Sequence, residues 1–437
     1  MLRIALVNLI PKTDTANYLG FNHALAYVSS VLKNGGHQTR LFTISSGLER
    51  DFDRLSGYRP NALFVYLTTN QYALFESELR ARWVRLNVPV FVGGPHATSC
   101  PDELVALEGV TGVCIGEGEN SALIVAQRIE RGEAFEGIAN IWFKRGGRVI
   151  RNDTGYCEAD LDALPFPDRD CFPYKEMLGN RAIRLMGFEF LTSRGCVYAC
   201  RYCINPLLRR INNSKARIRR RSIENVIREI QSVTKRYDYS GIVGFHDDIF
   251  TLDEPWLEQF AREFRRSIGL PFWCNAHINN LDEAIISSLR RGGCFRVHVG
   301  IECGNEEVRS RLLNKRISNR EILEKVAMLK KHRMKIVTTF MIGLPDESEA
   351  ELRQSIDLCR AIAPDWVLLS VFCPYPGTSL YETLVAEGKL DAGFYRSIST
   401  ESFYSDKAAY SHNQLSPEKL SYYFNNFTKL ASITGKS

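Results

Sequence analysis

Short apolar runs alternate with amphipathic stretches along most of the chain, and the run lengths set the expected fold. Between residues 1 and 151 the runs Arg3–Asn8, His37–Thr43, Ala62–Leu67, Val88–Val92 and Gly112–Ile115 read as strands. They are continuous rather than alternating, as strands buried on both faces are. Ala24–Asn34, Ala73–Arg85, Asp102–Leu107 and Asn120–Arg131 lie between them as helical stretches. Strands alternating with helices predict an α/β fold with a parallel, doubly wound sheet. Asn140–Phe143 and Arg148–Arg151 read as a small hairpin closing this first domain at residue 151.

Residues 152–185 read as a linker. Its Leu164-Pro165-Phe166-Pro167-Asp168 holds two prolines, which forbid helix and favour extended chain. A second β/α series occupies residues 186–394. Its strands are Phe188–Thr192, Gly241–Phe245, Phe272–Asn275, Phe295–Ile301, Lys335–Ile342 and Trp366–Phe372. Ile223–Tyr237, Pro255–Ile268, Asp282–Gly292, Asn319–His332 and Ser348–Ile362 are the helices between them. Six β/α units predict a partial barrel, whose chemistry sits at the C-terminal strand ends. Residues 395–437, with Tyr422-Tyr423-Phe424, read as a short helical tail.

Composition changes this picture little. With 45% hydrophobic and 24% charged residues the chain is ordinary globular material, and 437 residues suit two or three domains. No window approaches the roughly 18 continuous apolar residues of a membrane span, and the N-terminus is too short and apolar-poor for a signal segment. The expectation is a cytoplasmic protein with its twelve cysteines reduced. The net charge of +6 is mild. One basic run, Arg209-Arg210 then Lys215, Arg217 and Arg219 to Arg221, lacks interleaved aromatics. It reads as a solvated loop or an anion clamp rather than a nucleic-acid patch.

The chemistry is concentrated in Cys196, Cys200 and Cys203, a Cys-x3-Cys-x2-Cys triplet directly after the first barrel strand. Three thiolates in one loop can take three corners of a four-iron, four-sulfur cubane. The fourth iron then stays open to a small chelating molecule. Zinc would need four closing ligands, and neither a second Cys pair nor a His pair at metal spacing follows. A disulfide framework does not suit a chain of this length and compartment.

With Tyr202 just before the third cysteine, the triplet resembles the radical S-adenosylmethionine (SAM) superfamily. The resemblance implies that the amino and carboxylate groups of SAM chelate the open iron of a [4Fe-4S] cluster. An electron from the cluster then cleaves SAM to methionine and a 5′-deoxyadenosyl radical, which abstracts hydrogen from an unactivated position. The later strand ends extend the likeness. Asp247 and Asp248 stand where many members carry a Gly-Gly-Glu, so one of them is expected to face SAM; a helix cap is the other reading. Glu302, after Gly300, is a candidate for the ribose or the amine, or else a buried acid paired with Arg296 or His298. Ile342 and Gly343 allow close backbone approach and suit the adenine. Cys303 and Cys373 also fall at strand ends, where a thiol can donate hydrogen, bind metal or simply pack.

Two glycine signals mark the first domain: Gly93-Gly94-Pro95-His96 after one strand and Gly116-Glu117-Gly118-Glu119 after the next. Neither is a dinucleotide fingerprint. Placed before a radical SAM barrel, they resemble the cobalamin-binding domain of the cobalamin-dependent branch. Thr68 and Thr69 are then expected to contact the nucleotide tail. The Asp-x-His-x-x-Gly motif that supplies an axial histidine elsewhere is absent, and His96 does not match it.

The resemblance implies a cobalamin-dependent methyltransferase acting on an unactivated carbon of a small-molecule or natural-product substrate. Flavodoxin or ferredoxin would supply electrons. Radical cyclase, epimerase or dehydratase chemistry without cobalamin is the alternative. An RNA methylthiotransferase would need three further cluster cysteines, and Cys100 and Cys114 are too few.

Overall fold

The computed structural model describes residues 1–10, 20–45, 49–177, 179, 181–212, 218–398, 410 and 414–432. Lys215 and Arg217 of the basic run, and much of the stretch before the final helix, lie outside the described residues. The chain forms two compact units. One comprises Met1–Asn180, Ile204–Arg217 and Tyr375–Thr400, the other Arg181–Cys203, Ile218–Pro374 and Glu401–Ser437.

The first unit is built on seven strands: β1 (Arg3–Ile10), β2 (Gln38–Ser45), β3 (Ala62–Tyr66), β4 (Val90–Gly93), β5 (Gly112–Cys114), β6 (Ile141–Arg145) and β7 (Arg148–Arg151). Their order is β2-β1-β3-β4-β5-β6-β7. The first five run parallel, and β6 and β7 close the sheet as the expected antiparallel hairpin. Every residue of β1 after Arg3 is buried, which is why its apolar run is unbroken. The strand order reverses between β1 and β3, which puts the crevice of a doubly wound sheet at the carboxyl ends of those two strands, beside the loop after β3. The helix Glu49–Gly57 was among those not legible in the sequence. Glu49–Gly57 carries five charged residues and buries only Asp51, Phe52 and Leu55, too thin an apolar stripe to read.

The second unit holds β8 (Phe188–Phe190), a two-stranded ribbon of β9 (Ser193–Arg194) and β10 (Arg219–Arg220), then β11 (Val243–Phe245), β12 (Phe272–Ala276), β13 (Cys294–Glu302), β14 (Lys335–Ile342) and β15 (Trp366–Val371). Six parallel strands follow the order β15-β14-β13-β12-β11-β8. Each strand lies beside its chain neighbour, so the sheet curls as a partial barrel with helical crossovers on one side. On that side Phe245 and Phe272 meet Phe260 and Phe264 of the helix Glu254–Ser267. On the other side Trp273 stacks on His298 at 4.6 Å, and Arg296 lies over the Trp273 and Trp366 rings. The sheet therefore has one apolar face and one aromatic, cationic face. The tail forms the helix Pro417–Leu430, capped by Ser416, and sets Phe427 against Phe340. No described helix is long and apolar enough to cross a membrane.

Candidate active site

The cysteine loop starts where β8 stops short. β8 ends at Phe190, two residues before the sequence suggests, because Thr192 and Ser193 turn to bind Asp247. Asp247 is fully buried; it accepts from the Thr192 N–H (3.1 Å) and hydroxyl (2.7 Å) and from the Ser193 hydroxyl. Its carboxylate is thus committed to the strand-end turn that launches the cysteines. Asp248 is the exposed member of the pair. Neither caps the next helix, a role taken by Asp253.

Cys196, Cys200 and Cys203 are in no disulfide and are all half-buried in one loop. The loop is fixed from two sides. Tyr198 stacks on His277 with ring centroids 3.7 Å apart and donates to Asn280 Oδ1 at 2.6 Å. Arg201 N–H donates to the Leu313 carbonyl, and Asn314 Nδ2 donates to the Ala199 carbonyl at 2.8 Å. No group of three His, Cys, Asp or Glu side chains among the described residues could hold a single metal ion. A cubane asks for something else: three thiolates, each on its own iron. A rigid loop presenting three half-exposed thiols fits that demand.

Beside the loop lies a buried ion pair that the sequence did not reveal. Glu302 ends β13 with φ +73°, a backbone state uncommon outside glycine, just past a register shift at Gly300. Its carboxylate accepts from Lys315 Nζ at 3.1 Å and from the Thr339 hydroxyl at 3.2 Å. The partner is Lys315, not Arg296 or His298. A Cβ at Gly300 would stand 2.1 Å from Glu302 Oε1 and 2.8 Å from Lys315 Nζ, so glycine there makes room for the pair. Burial pushes the Tyr202 phenol well above its ordinary range, with Glu302 adding to the effect. Burial also raises the Cys200 thiol, opposed by the Lys315 ammonium. His277 is pulled down to about 3 by burial and then by Lys315, so its ring is neutral. Nδ1 accepts from Asn279 N–H, and Nε2 has no partner among the described residues.

The remaining barrel candidates divide. The Ile342 side chain is buried, leaving its backbone and that of Gly343 (φ +76°) at the strand end. Glu347, not singled out from the sequence, clasps this turn by accepting from Gly343 N–H at 2.6 Å and Leu344 N–H at 3.3 Å. Burial pushes its carboxyl up to about 8. Cys303 is buried against Ser355 of the helix Glu349–Ile362, and burial raises its thiol to about 11. Cys373 is buried just beyond β15. His246, exposed beyond β11, lies edge-on to Trp273 and 3.6 Å from Glu189.

In the first unit, Thr68, Gly93 to Pro95 and Gly116 to Gly118 are half-buried at the strand ends, while Thr69 and Glu119 are buried. Gly94 has φ +103°, and a Cβ there would stand 2.8 Å from the Leu67 carbonyl oxygen. Gly116 has φ +81° and donates its N–H to Thr98 Oγ1 at 3.0 Å; a Cβ there would meet Asn212 Oδ1 at 3.8 Å and Ile211 at 3.9 Å. Gly118 leads into the helix Glu119–Arg131. Glu117 is turned toward the Glu158 N–H. His96 is fully buried between the Tyr72 and Tyr395 rings, with Nδ1 3.2 Å from Thr69 Oγ1. Burial pulls it down to about 4. The imidazole is neutral and enclosed, not presented to the crevice.

Comparisons with known proteins agree with both halves. Residues 190–359 match the Radical SAM superfamily and residues 12–126 match the B12 binding domain. An uncharacterized methyltransferase of Pyrococcus horikoshii, PH0819, is 26% identical over 92% of this chain and 87% of its own. The anaerobic magnesium-protoporphyrin IX monomethyl ester cyclase of Rubrivivax gelatinosus is 22% identical over 82% of this chain and 65% of its own. For cytidylyl-2-hydroxyethylphosphonate methyltransferase of Streptomyces wedmorensis the figures are 23%, 69% and 61%. Among solved structures, the radical SAM methyltransferase TsrM of Kitasatospora setae, with cobalamin and a [4Fe-4S] cluster bound, superposes with TM-score 0.67. It is 17% identical, over 89% of this chain and 78% of TsrM. The cobalamin-dependent radical SAM enzyme OxsB gives 0.68 at 14% identity, over 95% of this chain and 58% of OxsB.

Proposed function

Starting from a chain that belongs to the cobalamin-dependent radical SAM family, we propose that it methylates an unactivated carbon of a small-molecule or natural-product substrate. The observation that carries this reading is a B12-binding domain and a radical SAM domain in one chain, over which a methyltransferase relative aligns for 92% of the length. When bound, the cluster supplies the electron that cleaves SAM, and cobalamin supplies the methyl group.

The chain's own residues divide the work of holding these groups. Cys196, Cys200 and Cys203 hold the cluster. Asp247 fixes the turn that leads into their loop, and the reading gives the SAM amine to Asp248, the exposed carboxylate of the pair. Gly343, held by Glu347, presents backbone at the end of β14, where a planar base can approach. Flavodoxin or ferredoxin delivers the electron. In the first unit the turns at Gly94 and Gly116 keep backbone, rather than side chains, against the cobalamin tail. His96, enclosed between Tyr72 and Tyr395, would not be available to a ligand in the crevice.

The test is a SAM cleavage assay with dithionite under anaerobic conditions, followed by methyl-labelled SAM with candidate metabolites. The wild type is expected to form 5′-deoxyadenosine and the Cys200→Ala protein none. Deoxyadenosine from the Cys200→Ala protein would refute the assignment.

A further inference from the structure

The turn after β14 is strained, and a distant part of the chain holds it. Gly343 has φ +76° and Asp346 φ +59°. A left-handed residue other than glycine persists only where its surroundings fix it. The Glu347 carboxylate takes the Gly343 and Leu344 N–H groups, and the Glu347 carbonyl accepts from Gln414 N–H at 3.0 Å. Just beyond Gln414, the helix Pro417–Leu430 sets Leu420 on the turn: a Cβ at Gly343 would stand 3.4 Å from both Leu420 Cδ atoms. Two residues past Glu347, Glu349 accepts from Lys419 Nζ at 2.6 Å and from the Tyr423 hydroxyl at 2.7 Å, across 70 and 74 positions. The tail therefore meets the turn through a backbone bond, an apolar contact and a carboxylate. Its own footing is thin. Of its 14 residues the helix buries only Leu420, Tyr423 and Phe427. Part-exposed ion pairs such as Lys419–Glu349 add little, so this helix belongs at the low-stability end of the fold.

We propose that the helix Pro417–Leu430 is a clasp on the turn after β14 and that its docking is coupled to SAM. The docked helix holds the turn in the shape that SAM binds, and bound SAM holds the helix down. The inference rests on the reading that brings the SAM base to Gly343. A ligand that binds one arrangement of a segment stabilises whatever that arrangement requires, and the coupling is equal in both directions. Leu420 acts on SAM only through the backbone of the turn, which makes it a positioning residue. A helix that served only to cover the sheet, through Phe427 on Phe340, would dock equally with and without SAM.

The test uses full-length protein reconstituted with iron and sulfide and left oxidised, so that SAM is not cleaved. Amide hydrogen exchange is followed by mass spectrometry in peptides covering the turn, Gly343 to Glu347, and the helix, Pro417–Leu430, with and without saturating SAM. SAM affinity is measured by equilibrium dialysis. In the wild type, SAM is expected to slow exchange about tenfold in the turn and in the helix together. Leu420→Ala is expected to weaken SAM binding about tenfold and to speed exchange in the helix, with iron content unchanged. Leu420→Met keeps the apolar contact and should stay near wild type. Protection of the turn with no change in the helix would overturn the clasp and leave the base at Gly343. So would wild-type SAM affinity in a Leu420→Ala protein whose helix exchanges faster. SAM that binds without protecting the turn would overturn the base at Gly343 and the inference with it. A wild-type protein that takes up no cluster would instead overturn the family reading. The wild-type exchange needs no variant, so it decides the matter even where Leu420→Ala folds poorly.

Discussion

The two units meet their ligands with different materials. In the barrel, buried charged side chains shape the strand ends: Asp247 accepts from the Thr192 N–H and hydroxyl and from the Ser193 hydroxyl, and Glu302 pairs with Lys315. In the first unit, the strand-end turns are shaped by glycines at φ +103° and φ +81°, and the one histidine among them is neutral and enclosed. A small, charged ligand and a metal cluster demand fixed charges and hydrogen bonds at short range. A large ligand that must lie across a crevice demands backbone that can be approached closely. Damage in the barrel should therefore strike chemistry, and damage in the first unit should strike retention.

The sharpest break is expected from Cys200→Ala, which should remove cluster binding and SAM cleavage while cobalamin retention persists; iron analysis beside bound corrin reads both. Next is Asp247→Ala. It leaves the Thr192 N–H and two hydroxyls without an acceptor in a buried turn, and should cost about 3 kcal/mol of stability by thermal or urea unfolding. Lower iron uptake should accompany it, because the turn sets the cysteine loop.

Two glycine substitutions cross the comparison. Gly94→Ala forces a Cβ to 2.8 Å from the Leu67 carbonyl oxygen at φ +103°. It should lower cobalamin affinity about tenfold and leave iron content alone. Gly300→Ala drives a Cβ into the Glu302–Lys315 pair. It should reduce SAM cleavage about tenfold with cobalamin retention unchanged. Equal effects of both substitutions on both readouts would dissolve the contrast between the units.

The smallest effect is on pH dependence, with opposite signs in the two units. Glu347 titrates at about 8 when folded, above its ordinary 4.5, so the folded state binds the extra proton between those values. Stability is lost there as pH rises, and Glu347→Gln should flatten that slope. His96 titrates at about 4 rather than 6.5, so the unfolded state binds the extra proton between those values. Stability is lost there as pH falls, and His96→Gln should flatten that limb. Urea midpoints across pH check both.

The parallel sheet, the partial barrel and the cysteine triplet were legible in the sequence because each is local. Continuous apolar runs mark strands buried on both faces, and the triplet spans eight residues of one loop. What escaped was long-range. Asp247 reaches Thr192 across 55 positions, so its part in the strand-end turn could not be read from its neighbours in sequence. Lys315 meets Glu302 only because β13 shifts register after Gly300 and turns the carboxylate inward. His96 follows a Gly-Gly-Pro turn that reads as ligand-facing, yet the short helix it enters buries it between two tyrosines.

The central claim, that one chain holds both a cluster and a corrin for methyl transfer, is tested most directly by anaerobic reconstitution. The protein is incubated with iron, sulfide and hydroxocobalamin, desalted, and analysed for cobalt and iron. Near-stoichiometric cobalamin beside a four-iron cluster, with a cobalt spectrum lacking a protein histidine ligand, is the predicted result. A full cluster with no retained cobalamin would contradict methyl transfer and leave a radical SAM rearrangement or dehydration enzyme.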